Sequence, residues 1–86
     1  MKIIFSNIAW DDYTSWLKDD RRMIVKINDL IKDIKTNPTE GKGKPEPLKY
    51  DLSGLWSRRI DREHRLIYKV EDEDIYIFAC RYHYDK

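Results

Sequence analysis

The C-terminal residues of this chain carry groups that can exchange protons and bind anions. The run 81–84, Arg-Tyr-His-Tyr, directly follows an apolar stretch, 75–80, which predicts a buried strand. Because an imidazole titrates near neutral pH, His83 can give or take a proton at working pH. A strand that delivers these side chains to one rim suits catalysis, although an exposed polar terminus also accounts for them.

A second reactive group is the carboxylate of Glu46, which lies between Pro45 and Pro47. Proline fixes its own backbone and restricts the residue before it, so this carboxylate is expected on a stiff loop. Two guanidinium groups, those of Arg59 and Arg65, fall on adjacent predicted strands. The sequence therefore offers an acid or base on a loop and fixed cations on a sheet.

The carboxylate of Glu46, the guanidiniums and the imidazole of His83 suit RNA cleavage without a metal ion. The ribose 2′-OH must lose a proton to attack the neighbouring phosphate, and the leaving 5′ oxygen must gain one. Arginine stabilises the charge that develops on the phosphoryl oxygens. Taken singly, Glu46 and Arg65 are ordinary surface residues, so the hypothesis depends on the set. His64 falls in a predicted turn and receives no role.

The formal net charge of +1 conceals a basic segment. Residues 42–69 contain eight Lys or Arg and four acidic residues, whereas the remainder contains nine basic and twelve acidic residues. A local basic stripe indicates a polyanionic partner, and a solvated charged face is the alternative. The basic residues of this stripe are Lys42, Lys44, Lys49, Arg58, Arg59, Arg62, Arg65 and Lys69.

Composition narrows the remaining classes of function. The 86 residues fit one small domain, and the single cysteine, Cys80, is expected to be a buried apolar-type residue. The sequence shows no metal-ligand spacing, phosphate-binding glycine loop or signal peptide, and its apolar runs are too short to span a membrane. We expect a cytoplasmic protein without a cofactor or a metal.

Periodicity predicts helices first and strands afterwards. After a short strand at 2–5, apolar residues recur at helical spacing in 9–18 and 21–35. The Pro- and Gly-rich segment 39–47 is a predicted loop that cannot be a central strand. Short turns then separate four predicted strands in an antiparallel meander: 48–52, 56–60, 65–70 and 75–82. Two adjacent helices need a sheet to cover their apolar faces, which predicts an α+β domain over residues 1–86.

The chain also resembles the YoeB toxins of the RelE/ParE superfamily, from Met1 to Tyr84. Several long strings in the same order carry this resemblance, which is more specific than any single motif. The strings are INDLIKD at 27–33, EGKGKPEPLK at 40–49, LSG at 52–54, WSRRI at 56–60, EHRL at 63–66 and ACRYHY at 79–84. The resemblance implies a RelE-like, microbial RNase-like fold, with two helices packed on a twisted antiparallel sheet.

The resemblance further implies a ribosome-dependent mRNA endonuclease. By the family pattern, Glu46 is the general base, His83 the general acid, Arg65 the transition-state stabiliser and Tyr84 a substrate-positioning residue. Lys49 and Arg59 hold phosphate. Tyr50 stands where a histidine is expected in close relatives, and it can still stack on a base or donate a hydrogen bond.

The implied partners are a YefM-like antitoxin, the 70S ribosome with its mRNA, and a second copy of the chain in a homodimer. Operator DNA is expected only through the antitoxin complex. Two alternatives keep the same fold: an inactive module that binds an antitoxin and co-represses its operator, and a toxin that acts on a protein target. Keeping Glu46, Arg65, His83 and Tyr84 together favours the nuclease.

Overall fold

Residues 1–82 are described by the computed structural model, and they form two helices packed on a five-stranded sheet. The helices are α1, Asn7–Asp19, and α2, Arg21–Thr36. The strands are β1, Ile3–Phe5; β2, Glu46–Pro47; β3, Trp56–Arg59; β4, Arg65–Glu71; and β5, Asp74–Ala79. The predicted α+β class is confirmed, as are both predicted helices.

Short polar side chains set the ends of the two helices. The Oγ of Ser6 accepts a hydrogen bond from the N–H of Ala9 at 3.0 Å, where α1 begins. Asp20 separates the helices: its N–H donates to the carbonyl of Trp16 at 2.9 Å, and its Oδ1 accepts from the N–H of Arg22 at 3.1 Å. One residue thus ends α1 and caps α2, which produces a tight helical hairpin.

The strands lie in the order β1-β5-β4-β3-β2. Strands β2 to β5 pair antiparallel, as expected for a meander, whereas β1 pairs parallel with β5. The sheet is therefore mixed. A parallel pair needs a long crossover, and here the helical hairpin and the other strands separate β1 from β5 in the chain.

The predicted strand at 48–52 is wrong. Tyr50–Leu52 form a short 3₁₀ helix, and the edge strand is instead β2, inside the predicted 39–47 loop. The strand is predicted from the short turn that follows it at Ser53 and Gly54. The segment does not form a strand because the backbone of Tyr50 lies at a φ of 59°, outside the extended region, and Tyr50 is 91% exposed.

The last predicted strand is shorter than expected, because β5 ends at Ala79 rather than at residue 82. The backbone of Cys80 is bonded to side chains of α1: its N–H donates to Asp12 Oδ2 at 3.0 Å, and its carbonyl accepts from Trp16 Nε1 at 3.0 Å. The backbone groups of Cys80 are therefore bonded to α1 and not to the neighbouring strand. His83 and Tyr84 lie outside the described residues.

The two faces of the sheet have different neighbours. Leu66, Tyr68 and Ile77 face the helices and share a buried cluster with residues such as Ile27 of α2. We call this the helix-covered face. Because side chains alternate along a strand, Ile67 lies on the opposite face, which we call the outer face. None of the helices within residues 1–82 is long and apolar enough to cross a membrane.

Candidate active site

Strand register brings three of the predicted site residues to the outer face. Glu46 of β2 pairs with Ser57 of β3, which pairs with Ile67 of β4. Two residues further along, Arg59 of β3 pairs with Arg65 of β4. Paired residues of an antiparallel ladder project to the same side, so the carboxylate and both guanidiniums share one surface.

The separation of these residues suits one nucleotide linkage. Glu46 and Arg65 are two strands apart across the sheet and one two-residue step apart along it. With strands ~4.8 Å apart and ~3.4 Å per residue, their Cα atoms are roughly 12 Å apart. Two long side chains that extend over the sheet can span that gap around a phosphate.

The guanidinium of Arg65 is held by the turn between β3 and β4. Its Nη1 donates to the carbonyls of Asp61 at 3.0 Å and His64 at 3.1 Å. Nη1 also lies 3.4 Å from the Arg62 carbonyl, and within residues 1–82 it is the only nitrogen of this guanidinium with a protein partner. One edge of the cation is thus fixed while Nε and Nη2 are left for a ligand.

Glu46 is exposed on β2, and the preceding loop is pinned to β3. The N–H of Arg59 donates to the carbonyl of Gly43 at 2.7 Å. Gly43 has a φ of 81°, and a Cβ there would lie 2.9 Å from the Arg59 carbonyl oxygen and 3.0 Å from Leu30. Only glycine allows the loop to approach β3 this closely.

Lys49 and Tyr50 lie beside Glu46 at the β2 edge of the sheet. A depression of about 280 Å³ is lined by Glu46, Lys49, Tyr50 and three apolar neighbours. The phenol of Tyr50 is almost fully exposed, so it is available to stack on a base or to donate a hydrogen bond. The structure therefore places five predicted site residues on the outer face and its β2 edge.

Two members of the predicted basic stripe are engaged within the protein. Arg58 has no exposed surface and forms an ion pair with Asp33 at 2.6 Å. Lys69 pairs with Glu71 at 2.8 Å, and this hydrogen bond raises the pKa of the Lys69 ammonium. The stripe is correspondingly weaker as a surface for polyanions than the sequence indicates.

Arg58 is a residue whose importance the sequence reasoning missed. Its Nε donates to the Tyr68 hydroxyl at 3.0 Å, and the hydroxyl donates to the Pro38 carbonyl at 2.7 Å. Burial raises the pKa of the Tyr68 phenol. Arg58 also donates to three carbonyls of the loop after α2: Asn37, Glu40 and Lys42. The loop that leads to Glu46 is therefore anchored to β3 from beneath.

The pKa of the Asp33 carboxyl is lowered, first by the hydrogen bond from the Lys42 N–H (2.9 Å) and then by Arg58. A signal for this pair was present in the sequence. Strand alternation puts Arg58 on the same face as the apolar residues Trp56 and Ile60. An arginine there needs a buried acidic partner.

The segment after β5 is anchored to α1. The guanidinium of Arg81 lies 4.0 Å from the centre of the Trp16 ring and 2.9 Å from Asp19 Oδ2, and it also donates to Ser15 Oγ. Cys80 is buried, as predicted, and burial raises the pKa of its thiol to about 12. The described chain ends at Tyr82, so the predicted roles of His83 and Tyr84 stay predictions.

Within residues 1–82, no group of three or more His, Cys, Asp or Glu side chains is placed to hold a metal ion.

Comparison with known proteins identifies the family. Residues 5–84 match the family model described as a YoeB-like toxin of a bacterial type II toxin-antitoxin system. The Toxin YoeB of Escherichia coli (strain K12) is 61% identical over 84 residues, covering 98% of this chain and all of that protein. The range of the family model includes His83 and Tyr84.

Solved structures agree with this result. A YoeB/ParE toxin from Agrobacterium tumefaciens superposes with a TM-score of 0.95 at 49% identity, covering 98% of this chain and 100% of that one. YoeB in a heterotetrameric YoeB-YefM complex from Staphylococcus aureus gives a TM-score of 0.91 at 49% identity, covering 98% of each chain. Fold and comparisons together define a toxin of a type II toxin-antitoxin system. The chain belongs to the YoeB toxin family.

Proposed function

We propose that this toxin is a ribosome-dependent endoribonuclease that cuts mRNA in the ribosomal A site and so inhibits translation. The observation that carries the proposal is the register that puts Glu46, Arg59 and Arg65 on one outer face. A binding module has no need for a carboxylate and a half-fixed guanidinium across a gap that fits one phosphate. Such a nuclease acts in the cytoplasm, where translated mRNA is found.

In the proposed reaction, Glu46 accepts the proton of the ribose 2′-OH, and the 2′ oxygen attacks the adjacent phosphorus. Arg65 stabilises the negative charge that develops on the phosphoryl oxygens. The bond from phosphorus to the 5′ oxygen breaks, and His83 donates a proton to that oxygen. The products are a 2′,3′-cyclic phosphate and a 5′-hydroxyl. Tyr84 positions the substrate.

Lys49, Arg59 and Tyr50 belong to substrate binding in this proposal. Lys49 and Arg59 are exposed cations that flank the reacting groups and can hold neighbouring phosphates. Tyr50 offers an aromatic face to an unstacked base. Because the basic stripe is only modest, we expect free RNA to bind weakly and the ribosome to supply the geometry for attack.

The test uses a defined mRNA on purified ribosomes, with mapping of both new ends. We expect a 5′-hydroxyl on the downstream fragment and much slower cutting of the same RNA without ribosomes. A substrate with a 2′-deoxy sugar at the cleaved nucleotide must resist cleavage, since it lacks the nucleophile. Normal cutting of that substrate, or equal single-turnover rates with and without ribosomes, would contradict the proposal.

Acid and base are separated by a substrate whose 5′ leaving atom is sulfur, which departs without a proton. We expect this substrate to restore part of the rate lost in His83→Ala. Glu46→Ala should gain nothing, because its task is at the 2′-OH. The opposite result exchanges the two assignments.

We further propose that a YefM-like antitoxin neutralises the toxin, as the Staphylococcus aureus YoeB-YefM complex suggests. Its acidic segment is expected to fold over the basic surface between Lys42 and Lys69. A homodimer is proposed by analogy with a Staphylococcus aureus YoeB dimer, and operator DNA is contacted only through the antitoxin complex. Binding of the antitoxin should weaken as salt rises and when Lys49 or Arg59 is changed to Ala; independence of both would refute this docking surface.

A further inference from the structure

His64 is a buried side chain that the proposed chemistry does not use. The relative exposure is 7% for the residue and 9% for its side chain. The ring packs edge-on against Trp16, with centroids 4.8 Å apart and planes at 83°. Trp16 in turn donates to the carbonyl of Cys80. The imidazole is thus held in a fixed orientation between α1 and the end of β5.

Both backbone groups of Tyr82 are bonded to the two consecutive residues His64 and Arg65, where β4 begins. The N–H of Tyr82 donates to Nδ1 of His64 at 2.7 Å, and the carbonyl of Tyr82 accepts from the N–H of Arg65 at 3.2 Å. The φ of Tyr82 is 65°, in the left-handed region that non-glycine residues rarely adopt. Such a backbone persists only where its surroundings hold it, and here His64 and Arg65 do so.

The hydrogen bond from Tyr82 defines the state of the imidazole. Nδ1 must carry a lone pair to accept, so the neutral ring has its proton on Nε2. The carboxylate of Glu63 is 3.6 Å from Nε2, and the carboxylate of Asp61 accepts from the backbone N–H of His64 at 2.7 Å. The imidazole therefore acts as a fixed acceptor.

We propose that His64 is a positioning residue for the general acid. This inference rests on the proposed function, in which His83 protonates the leaving oxygen. His83 follows Tyr82 directly in the sequence, and Arg65 follows His64. The bonds of Tyr82 therefore tie the backbone that precedes the acid to the residue that stabilises the transition state. His64 touches no substrate in this proposal and acts only through Tyr82.

The first test measures the hydrogen bond itself and needs no activity. In the ¹⁵N-labelled full-length protein, we expect a scalar coupling across the bond between the Tyr82 amide nitrogen and Nδ1 of His64. Imidazole ¹⁵N shifts should report the tautomer protonated on Nε2. An assigned Tyr82 amide without this coupling, or a proton on Nδ1, would overturn the proposal whether or not the protein cuts RNA.

The second test compares two amide replacements. The side-chain oxygen of His64→Asn lies near the position of Nδ1 and keeps an acceptor for Tyr82, whereas the longer His64→Gln places its amide near Nε2. We expect His64→Gln to lower the single-turnover rate on saturating ribosome-bound mRNA roughly 10- to 100-fold, the scale of a small misplacement of a catalytic group. His64→Asn should recover most of that rate. Glu73→Gln, an exposed change in the turn between β4 and β5, is the matched control and should cut at the wild-type rate.

The substrate with a sulfur leaving atom distinguishes positioning from loss of structure. If His64 acts through the acid, this substrate should relieve the defect of His64→Gln as it relieves that of His83→Ala. Equal slowing of the Asn and Gln variants, with lowered melting temperatures and no relief by sulfur, would assign His64 a structural role and overturn the proposal. If the wild-type protein fails to cut, the proposed function fails, and the coupling measurement still decides the hydrogen bond.

Discussion

Arg58 and Arg59 are consecutive residues of β3, and the two faces of the sheet use them in opposite ways. On the helix-covered face, Arg58 is fully buried and donates to Asp33, Tyr68 and a set of loop carbonyls. On the outer face, Arg59 is exposed, and its guanidinium is available to an external anion. The same type of side chain thus stabilises the protein on one face of the sheet and offers a charge to a ligand on the other.

The difference follows from what replaces water around each cation. Arg58 exchanges its hydration for a near-complete set of protein acceptors, so removing it leaves several buried groups without a partner. Arg59 keeps its hydration until a phosphate displaces it. A residue with every donor bonded internally has none left for substrate, whereas a residue with free donors contributes little to folding. Arg65 is intermediate, since only one edge of its guanidinium is bonded to the protein.

The largest expected effect is the difference in stability between two single variants, in which either Arg58 or Arg59 is replaced by an uncharged side chain. Arg58→Met removes the cation, so that Asp33 keeps only the Lys42 N–H and the loop carbonyls lose this donor, which should cost roughly 3–5 kcal/mol of unfolding free energy. Arg59→Met should stay within about 0.5 kcal/mol of wild type. Urea denaturation of both variants checks the difference. Equal losses for the two would show that burial does not separate their roles.

The next largest effect concerns catalysis rather than stability. Arg65→Ala should lower the cleavage rate at saturation roughly 100-fold or more, because the charge it stabilises appears only in the transition state. Binding to the ribosome should change little, since other cations share that task. Single-turnover kinetics and a binding assay on the same ribosomes measure the two quantities. A loss confined to binding would move Arg65 to the group of phosphate-holding residues.

Smaller effects are expected at the edge of the site. Lys49→Ala and Arg59→Ala should raise KM more than they lower kcat, because their contacts exist in both the ground state and the transition state. A contact of about 1 kcal/mol corresponds to a KM change of roughly fivefold. Arg21→Ala, an exposed cation at the start of α2, is a matched control. If kcat alone fell in the Lys49 or Arg59 variant, that residue would act on the transition state.

The smallest effect is the acid dependence of stability that comes from Asp33. Its pKa is lowered in the folded protein, from an ordinary value of 3.8, by the Lys42 N–H and by Arg58. The unfolded chain therefore binds the proton first as pH falls, so this stabilisation is present above pH 3.8 and is lost as pH falls through the folded pKa. Asp33→Asn should flatten the fall of unfolding free energy below about pH 4.

Asp29→Asn, an exposed carboxylate of the same helix, is the control for that measurement. Its pH dependence should follow that of the wild type more closely. If the unfolding free energy of the Asp33 variant fell with pH as it does in the wild type, the contacts of Arg58 would not depend on the ionised carboxylate.

Several elements could be predicted because their determinants are local. Apolar residues at helical spacing and the capping side chains of Ser6 and Asp20 lie within a few residues of the helices they define. Short turns between 56 and 75 constrain β3, β4 and β5 to pair in order, which also brings Arg59 opposite Arg65. The α+β class and that arginine pair were therefore accessible from the sequence, and resemblance added the family.

Other features depend on contacts between distant residues. The segment at 48–52 did not form a strand, since the backbone of the exposed Tyr50 lies at a φ of 59°. Strand β5 ended at Ala79, and the backbone of the next residue, Cys80, is bonded to side chains of α1. Pairing of β1 with β5 joins residues about 70 positions apart, as in the match of Ile3 with Ile75. Local periodicity contains no information on such partners.

The two neighbouring arginines mark the boundary between these kinds of information. The sequence by itself determined that Arg58 and Arg59 are cations on opposite faces of one strand, since alternation is a property of the extended backbone. Only the tertiary structure decided that α2 would bring Asp33 to Arg58 and that His64 would accept from Tyr82. The physical reason is that hydrogen bonding and burial are set by whichever groups the fold places within about 3 Å, regardless of their separation along the chain.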